Sequence, residues 1–227
     1  MPTRNREKLI GESIQSIIGQ TESDWELIVV DDHSSDGDRT EEVAKNFDDK
    51  RINYFKLADK HGKGISSARN FGNIQAQSEI VAVCDSDDIN YPDRMKLTLQ
   101  KLAEGNYDIV YGRVDVWDEA TGKIRPRYKS ALERKFSLEE LKTNYYIPHS
   151  TVSYLRQIAV DFPYNSFFEV SEDYDLLTRL ANYKYKFGFI DKAIVKYRRH
   201  PNAINLKNKV FDYNYGEIVR KNRGWQE

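Results

Sequence analysis

Short apolar runs that stop abruptly at acidic clusters are the feature that most restricts this chain. Trp25–Val30 runs straight into Asp31-Asp32, and Ile80–Cys84 runs into Asp85-Ser86-Asp87-Asp88. Near-continuous apolar runs of this length are what strands buried on both faces require. Helical patterns lie between them. Leu9, Ile10, Ile14, Ile17 and Ile18 fall on one helical face, with Asn5 as expected N-cap. Asp38 with Glu41 opens a second expected helix, Ile65 to about Ala76 a third, and Met95, Leu99, Leu102 and Ala103 a fourth, after Pro92 and closed by Gly105. Ile52–Leu57 and Asp108–Trp117 read as further strands. Strand and helix in alternation predict an α/β chain with a mostly parallel sheet flanked by helices.

From about Tyr128 the alternation breaks down. Ser137 with Glu140 forms a capping box, Ser150–Tyr154 reads as a strand, and Ser171-Glu172-Asp173 opens a helix carrying Leu176, Leu177 and Leu180. Phe187–Ile190 and Ala193–Tyr197 read as paired strands. The expected organisation is one domain with two halves, 1–118 resembling a nucleotide-binding sheet and 119–227 a more irregular, substrate-facing region with a polar tail after His200.

Charge excludes some partners. The chain has 35 Lys+Arg against 36 Asp+Glu in 227 residues, so no global field draws in nucleic acid. No run approaches the ~20 apolar residues of a spanning helix, and the first residues lack the apolar core of a signal peptide. The expectation is a soluble, cytoplasmic protein, with peripheral membrane contact left open. Cys84 is the one cysteine. That rules out an intrachain disulfide and a cysteine-built zinc site, and its apolar strand marks it as a core residue.

Ligands of open α/β sheets bind beyond the carboxyl ends of the strands, which is where the acidic clusters fall. Asp85 and Asp87, two apart on an extended segment, would face one ligand together. Adjacent carboxylates repel unless a cation neutralises them, and their oxygens suit Mg²⁺ or Mn²⁺. A solvated turn reads equally well in isolation. Asp31-Asp32 could accept hydrogen bonds from a base or ribose, or simply cap a loop. Asp173, at a helix start, would be kept ionised by the helix dipole and could act as a general base. The same residue type serves stability alone at many helix starts. Arg69 could reach a phosphate. His200 could be a metal or phosphate ligand, and His149 could line a pocket.

The order and spacing of these motifs resemble the inverting nucleotide-sugar glycosyltransferases of family 2, with the GT-A fold. The resemblance rests on Pro2-Thr3-Arg4-Asn5-Arg6, Trp25 to Asp32, Gly64-Ile65-Ser66-Ser67-Ala68-Arg69-Asn70, Asp85-Ser86-Asp87-Asp88, Glu172-Asp173-Tyr174-Asp175-Leu176 and Tyr197-Arg198-Arg199-His200. It implies that Pro2, Thr3, Asn5, Arg6, Asp31, Asp32, Arg69, Asp85 and Ser86 bind a nucleotide-diphosphate sugar, UDP-linked by preference. Thr3 and Asp32 would hold the base. Asp87, Asp88 and His200 would hold Mn²⁺ or Mg²⁺. Asp173 would deprotonate a hydroxyl of a glycan or lipid-linked acceptor, as in assembly of a surface polysaccharide. The processive members' Gln-x-x-Arg-Trp motif is absent, which implies transfer of a single sugar. A nucleotidyltransferase of related topology and a non-catalytic sugar-nucleotide-binding domain are the alternatives. Tyr145, Tyr146 and Phe168 are candidate sugar-stacking residues. Family members carry a short apolar strand ahead of Pro-Thr, whereas Met1 stands directly before Pro2 here. The expectation is unpaired backbone on the neighbouring strands, at about 1–3 kcal/mol for each buried group.

Overall fold

The structure is a computed structural model that describes residues 1–127, 135–201, 217 and 219–221. Tyr128, where the alternation was expected to break down, and most of the polar tail fall outside the described residues.

Two sheets organise the chain. The first is parallel, in the order β1 (Pro2–Thr3), β2 (Leu27–Asp31), β3 (Ile52–Lys56). Its helices are α1 (Ile10–Ile18) and α2 (Arg39–Lys45). The expected cap does not form. Helix α1 starts at Ile10 with Leu9 before it, while Asn5 takes a positive φ of 51° and bonds across to Ser34 and Ser35. An Asn side chain that closes a loop in this way cannot also cap. Ile10, Ile14 and Ile17 of α1 are buried against Trp25, Leu27, Val29 and Cys84. Each fully buried Ile contributes about 1.5–3 kcal/mol. Cys84 is the core residue expected.

Helix α3 (Ile65–Gln75) leads to β4 (Ile80–Ala82), then β5 (Ile89–Asn90), α4 (Arg94–Ala103), β6 (Ile109–Asp118) and β7 (Ile124–Pro126). After α5 (Leu138–Thr143) come β8 (Ser153–Leu155), α6 (Arg156–Asp161), α7 (Glu172–Asn182) and β9 (Phe187–Arg199). The second sheet has the order β4-β8-β6-β9-β5, with β7 on β6. It is mixed. Its β6–β9 pair is parallel, while β4–β8, β6–β8, β5–β9 and β6–β7 are antiparallel. Ser137 caps α5 as expected, accepting from Glu140 N at 3.1 Å.

Phe187–Ile190 and Ala193–Tyr197 are not a pair of strands but one strand, β9. Gly112 pairs with Ile190 and Arg113 with Ala193, so Asp191 and Lys192 form a bulge rather than a turn. The second half has its own core. Tyr146, Tyr154, Tyr164 and Tyr174 pack there with Leu176, Leu177 and Leu180, so aromatic area compensates for a modest aliphatic content. Tyr146 and Phe168 are buried in this core.

No hydrogen-bonded strand pair joins the two sheets among the described residues. β1 and β4 end their respective sheets, and a cavity of about 570 Å³ lies between them.

Candidate active site

The acidic residues converge through cations. Segment 85–88 is a turn, not an extended strand, so Asp85 and Asp87 do not project in parallel. Mutual repulsion explains the splaying, because each carboxylate takes a different partner. Asp85 Oδ1 accepts from Arg69 Nη2 at 3.1 Å. Asp87 Oδ2 lies 3.3 Å from His200 Nε2 and 3.5 Å from Arg6 Nη2. Asp88 Oδ1 accepts from Arg198 N at 2.9 Å. Ser86 is buried within the same turn.

Arg69 ties this turn to the start of α7. Its guanidinium, on α3, bonds both Asp85 in the turn and Glu172 on α7. Burial opposes the charge on Arg69, but Asp85 and Glu172 more than offset that and raise its pKa. The next residue, Asp173, accepts from Tyr145 Oη at 2.8 Å and from Tyr174 N at 2.7 Å. Arg69 therefore joins the turn that carries Asp87 to the helix start that carries Asp173. Tyr145, a candidate stacking residue by sequence, is instead a hydrogen-bond donor to Asp173.

Burial changes the charge states. It lifts the Asp173 carboxyl to about 7, with the neighbouring Glu172 charge adding to the effect. The expectation that the helix dipole keeps Asp173 fully ionised is corrected here, because desolvation outweighs a dipole effect of about 0.3–1 kcal/mol. Burial also works to raise Asp87, yet His200 and the Arg6 guanidinium hold it below the usual range. Asp88 goes the other way, pushed well up by burial and by Asp87 and Asp85.

The other sequence candidates lie at the end of the parallel sheet. Pro2 and Thr3 form β1 beside Val30 and Asp31. Thr3 Oγ1 is buried and has no partner among the described residues. Asp32 accepts from Gly64 N at 3.0 Å on both oxygens. That approach needs the φ of +92° that only glycine adopts freely. Asp31 is spent on the loop itself, accepting from Ser34 N at 2.8 Å and from Tyr54. Asn5 likewise shapes the loop. Its contacts to Ser34 and Ser35 leave Arg6 directed at Asp87.

Sequence reasoning missed Arg198 as a separate group. Its Nε donates to Asp87 O at 2.9 Å and its Nη groups meet Glu119 and Glu12. The alternation of β9 was the available signal, since it turns Arg198 inward between the half-buried Tyr197 and the exposed Arg199. His149 is buried, 3.0 Å from Tyr164 Oη, and burial keeps it neutral.

No three His, Cys, Asp or Glu side chains gather as a ready-made metal cage among the described residues. The donor set still fits one hard divalent cation. Asp88 Oδ2 is buried with no hydrogen-bond partner among the described residues, next in sequence to Asp87, and Mg²⁺ is commonly held by one or two carboxylates with phosphate oxygens completing its shell.

A mixed α/β fold with acidic turns at its strand ends, one of them joined through Arg69 to the start of α7, is that of the GT-A glycosyltransferase class. Residues 1–165 match the family described as Glycosyl transferase family 2. The chain belongs to that family and is a glycosyltransferase. It is 33% identical over 227 residues to an uncharacterized glycosyltransferase of Methanocaldococcus jannaschii, covering 94% of this chain and 75% of that protein. An Escherichia coli protein named UDP-Glc:alpha-D-GlcNAc-diphosphoundecaprenol beta-1,3-glucosyltransferase is 34% identical over 116 residues, covering 51% of this chain and 44% of its own length. Two solved structures share the fold. S. aureus TarS in complex with UDP-GlcNAc has a TM-score of 0.72 at 22% identity, covering 89% of this chain and 58% of that one. A mannosyltransferase from Pyrobaculum calidifontis, in complex with GDP-Man and Mn²⁺, has a TM-score of 0.71 at 16% identity, covering 98% and 62%. The chain thus spans about half to three quarters of the length of these relatives. No helix among the described residues is long and apolar enough to cross a membrane.

Proposed function

We propose that this chain transfers one sugar, with inversion, from a nucleotide-diphosphate donor, UDP-linked by preference, to a hydroxyl of a glycan or lipid-linked acceptor. The observation that carries the reading is the half-buried Asp173, lifted to about 7 and next to Glu172, which Arg69 joins to Asp85. A base with that pKa accepts a proton near neutral pH and can hold it.

The Thr3 hydroxyl, without a partner among the described residues, and Asp32 would meet the base of the donor. Asp85 and Ser86 would meet its ribose, and Arg6 its phosphates. Asp87, Asp88 and His200 would hold Mn²⁺ or Mg²⁺, which supplies positive charge beside the departing diphosphate. Asp173 takes the proton of the acceptor hydroxyl. The acceptor oxygen bonds to the anomeric carbon from the face opposite the diphosphate. The bond from that carbon to the diphosphate oxygen breaks, and its electron pair leaves with the nucleoside diphosphate. One displacement inverts the configuration. Tyr145 holds the Asp173 carboxyl in place, and burial of its own hydroxyl keeps it neutral as a donor.

Residues 1–118 serve the donor in this reading, and 119–227 the acceptor. The relative from Escherichia coli, named for an undecaprenol-diphosphate acceptor, supports a lipid-linked acceptor in surface polysaccharide assembly. A cytoplasmic location with peripheral membrane contact fits the same picture. The test is a screen of UDP-, GDP- and dTDP-sugars for turnover with Mn²⁺, repeated on Asp87→Ala and Asp173→Asn. Unchanged turnover in both variants overturns the proposal.

A further inference from the structure

Of the three aromatics expected from sequence to stack on a sugar, Tyr146 and Phe168 are buried and Tyr145 is bonded to Asp173. A fourth ring stays in water. Phe167 is 67% exposed and is the only exposed phenylalanine among the described residues. Its ring meets that of Phe168 edge to face at 5.4 Å. Two further bonds close the turn beneath it, from Phe167 N to Asn165 Oδ1 at 3.0 Å and from Phe168 N to Asn165 O at 3.1 Å. The ring is therefore restrained from below, with most of its surface open.

The turn is mounted on α3. Asn70 donates to Tyr164 O at 2.9 Å and accepts from Tyr164 N at 2.8 Å. The Arg69 guanidinium lies 5.3 Å from the centre of the Tyr164 ring, and Ser66 Oγ donates to Asn165 O at 3.5 Å. Ser66 and Arg69 are three residues apart, so they share one face of the helix. Arg69 is also the partner of Glu172. The Asn165 carbonyl and the Glu172 carboxylate thus meet the same face of α3, one helical turn apart. The Ser66 end is the nearer to Gly64, which bonds Asp32. Phe167 therefore belongs to a turn beside the helix start that carries Asp173, displaced toward Asp32.

We propose that Phe167 is the acceptor platform, its ring stacking on one face of a neutral hexopyranose that offers its hydroxyl to Asp173. The proposal rests on the transfer reading above and names the substrate class at the same site. A pyranose presents a face of C–H groups, which the negative face of a phenyl ring attracts, and hydroxyls around its edge. Asn165, Ser166 and Glu169 are exposed on either side of the ring and supply the donors and acceptors that those hydroxyls need. Charge selects against other occupants. Residues 163–170 contain Glu169 and no lysine or arginine, and Glu172 and Asp173 follow directly. An anionic membrane surface or a phosphate-bearing chain would be repelled there. A ring already held in place also loses little freedom on binding.

The probes are the methyl glycosides of glucose, N-acetylglucosamine, galactose and mannose, added without donor to the full chain. Saturation-transfer NMR reads their binding to the parent, to Phe167→Ala and to Phe167→Trp. The expected result is millimolar binding of at least one glycoside, weakened about tenfold in Phe167→Ala. Phe167→Trp should keep that binding, and its added indole fluorescence should shift on titration. The ring lies at the surface, so the circular dichroism of both variants should match the parent's. No glycoside binding to the parent, equal binding to Phe167→Ala, or equal binding of the acyclic sorbitol overturns the proposal. So does binding to phosphatidylglycerol vesicles that Phe167→Ala abolishes, which would make the ring a membrane anchor. Because no donor is present, a failure of glycoside binding and a failure of sugar transfer are separate results.

Discussion

Tyr145 Oη donates a 2.8 Å hydrogen bond to Asp173 Oδ2, the carboxyl that desolvation lifts to about 7. The tyrosine counteracts the lift, because a hydrogen bond to the ionised form favours that form.

The pH profile follows. Asp173 must be ionised to take a proton, so kcat/KM should climb with pH, reach half its plateau near 7, and flatten above. Tyr145→Phe removes a contact that lowers the pKa and should move this midpoint to higher pH. A steady-state profile of both proteins checks it, and an unmoved midpoint contradicts the assigned pair.

Asp173→Asn should cut turnover by about 10²–10⁴, the usual contribution of a general base, while leaving UDP binding intact. Its effect on stability has the opposite sign. A carboxyl raised from 3.8 to about 7 by burial stabilises the fold fully only below 3.8, and that contribution is lost as pH rises through 7. The Asn variant escapes the loss. Melting curves should place it above the parent at pH 8, with the gap closing as pH falls from 7 toward 4.

Arg69→Met strands two carboxylates. Asp85 and Glu172 both lose their shared partner, and Glu172 is buried. Breaking a buried pair costs about 3–5 kcal/mol. Urea denaturation should show a loss of that order, and Arg69→Lys should recover only part of it, since an ammonium cannot fork to both acids.

Mn²⁺ with UDP should raise the melting temperature of the parent chain. At 100 times the dissociation constant the added stability is about 2.7 kcal/mol. Asp87→Ala should lose the part of the shift that depends on Mn²⁺. Equal shifts in both proteins would remove Asp87 from the ion's surroundings.

The elements read correctly from sequence are those with strong periodicity and a single burial pattern. β2, α1 and α7 were legible because Leu27–Val30, Ile10–Ile17 and Leu176–Leu180 repeat at strand or helix spacing. β9 was misread because Asp191-Lys192 looks like a turn, and only pairing with β6 reveals a bulge there. β5 and β7 have two and three residues, too short for any period to register. The acidic site residues were legible as types but not as partners. The Arg69–Glu172 contact joins positions 103 apart, and no local pattern encodes it. The charge state of Asp173 was misjudged for the same reason. Its position at a helix start is visible in the sequence, but the depth of its burial is a tertiary fact.

β9 has one end in the aromatic core at Phe187, while near the other Arg198 holds the turn at Asp87 and Asp88. Strand side chains alternate, so sliding β9 by a single residue along β6 would carry Arg199 into the place of Arg198 and withdraw His200 from Asp87. The alignment of one strand thus acts as a reading frame for charge. Packing around Phe187 thus helps decide which cation meets the Asp87 carboxylate.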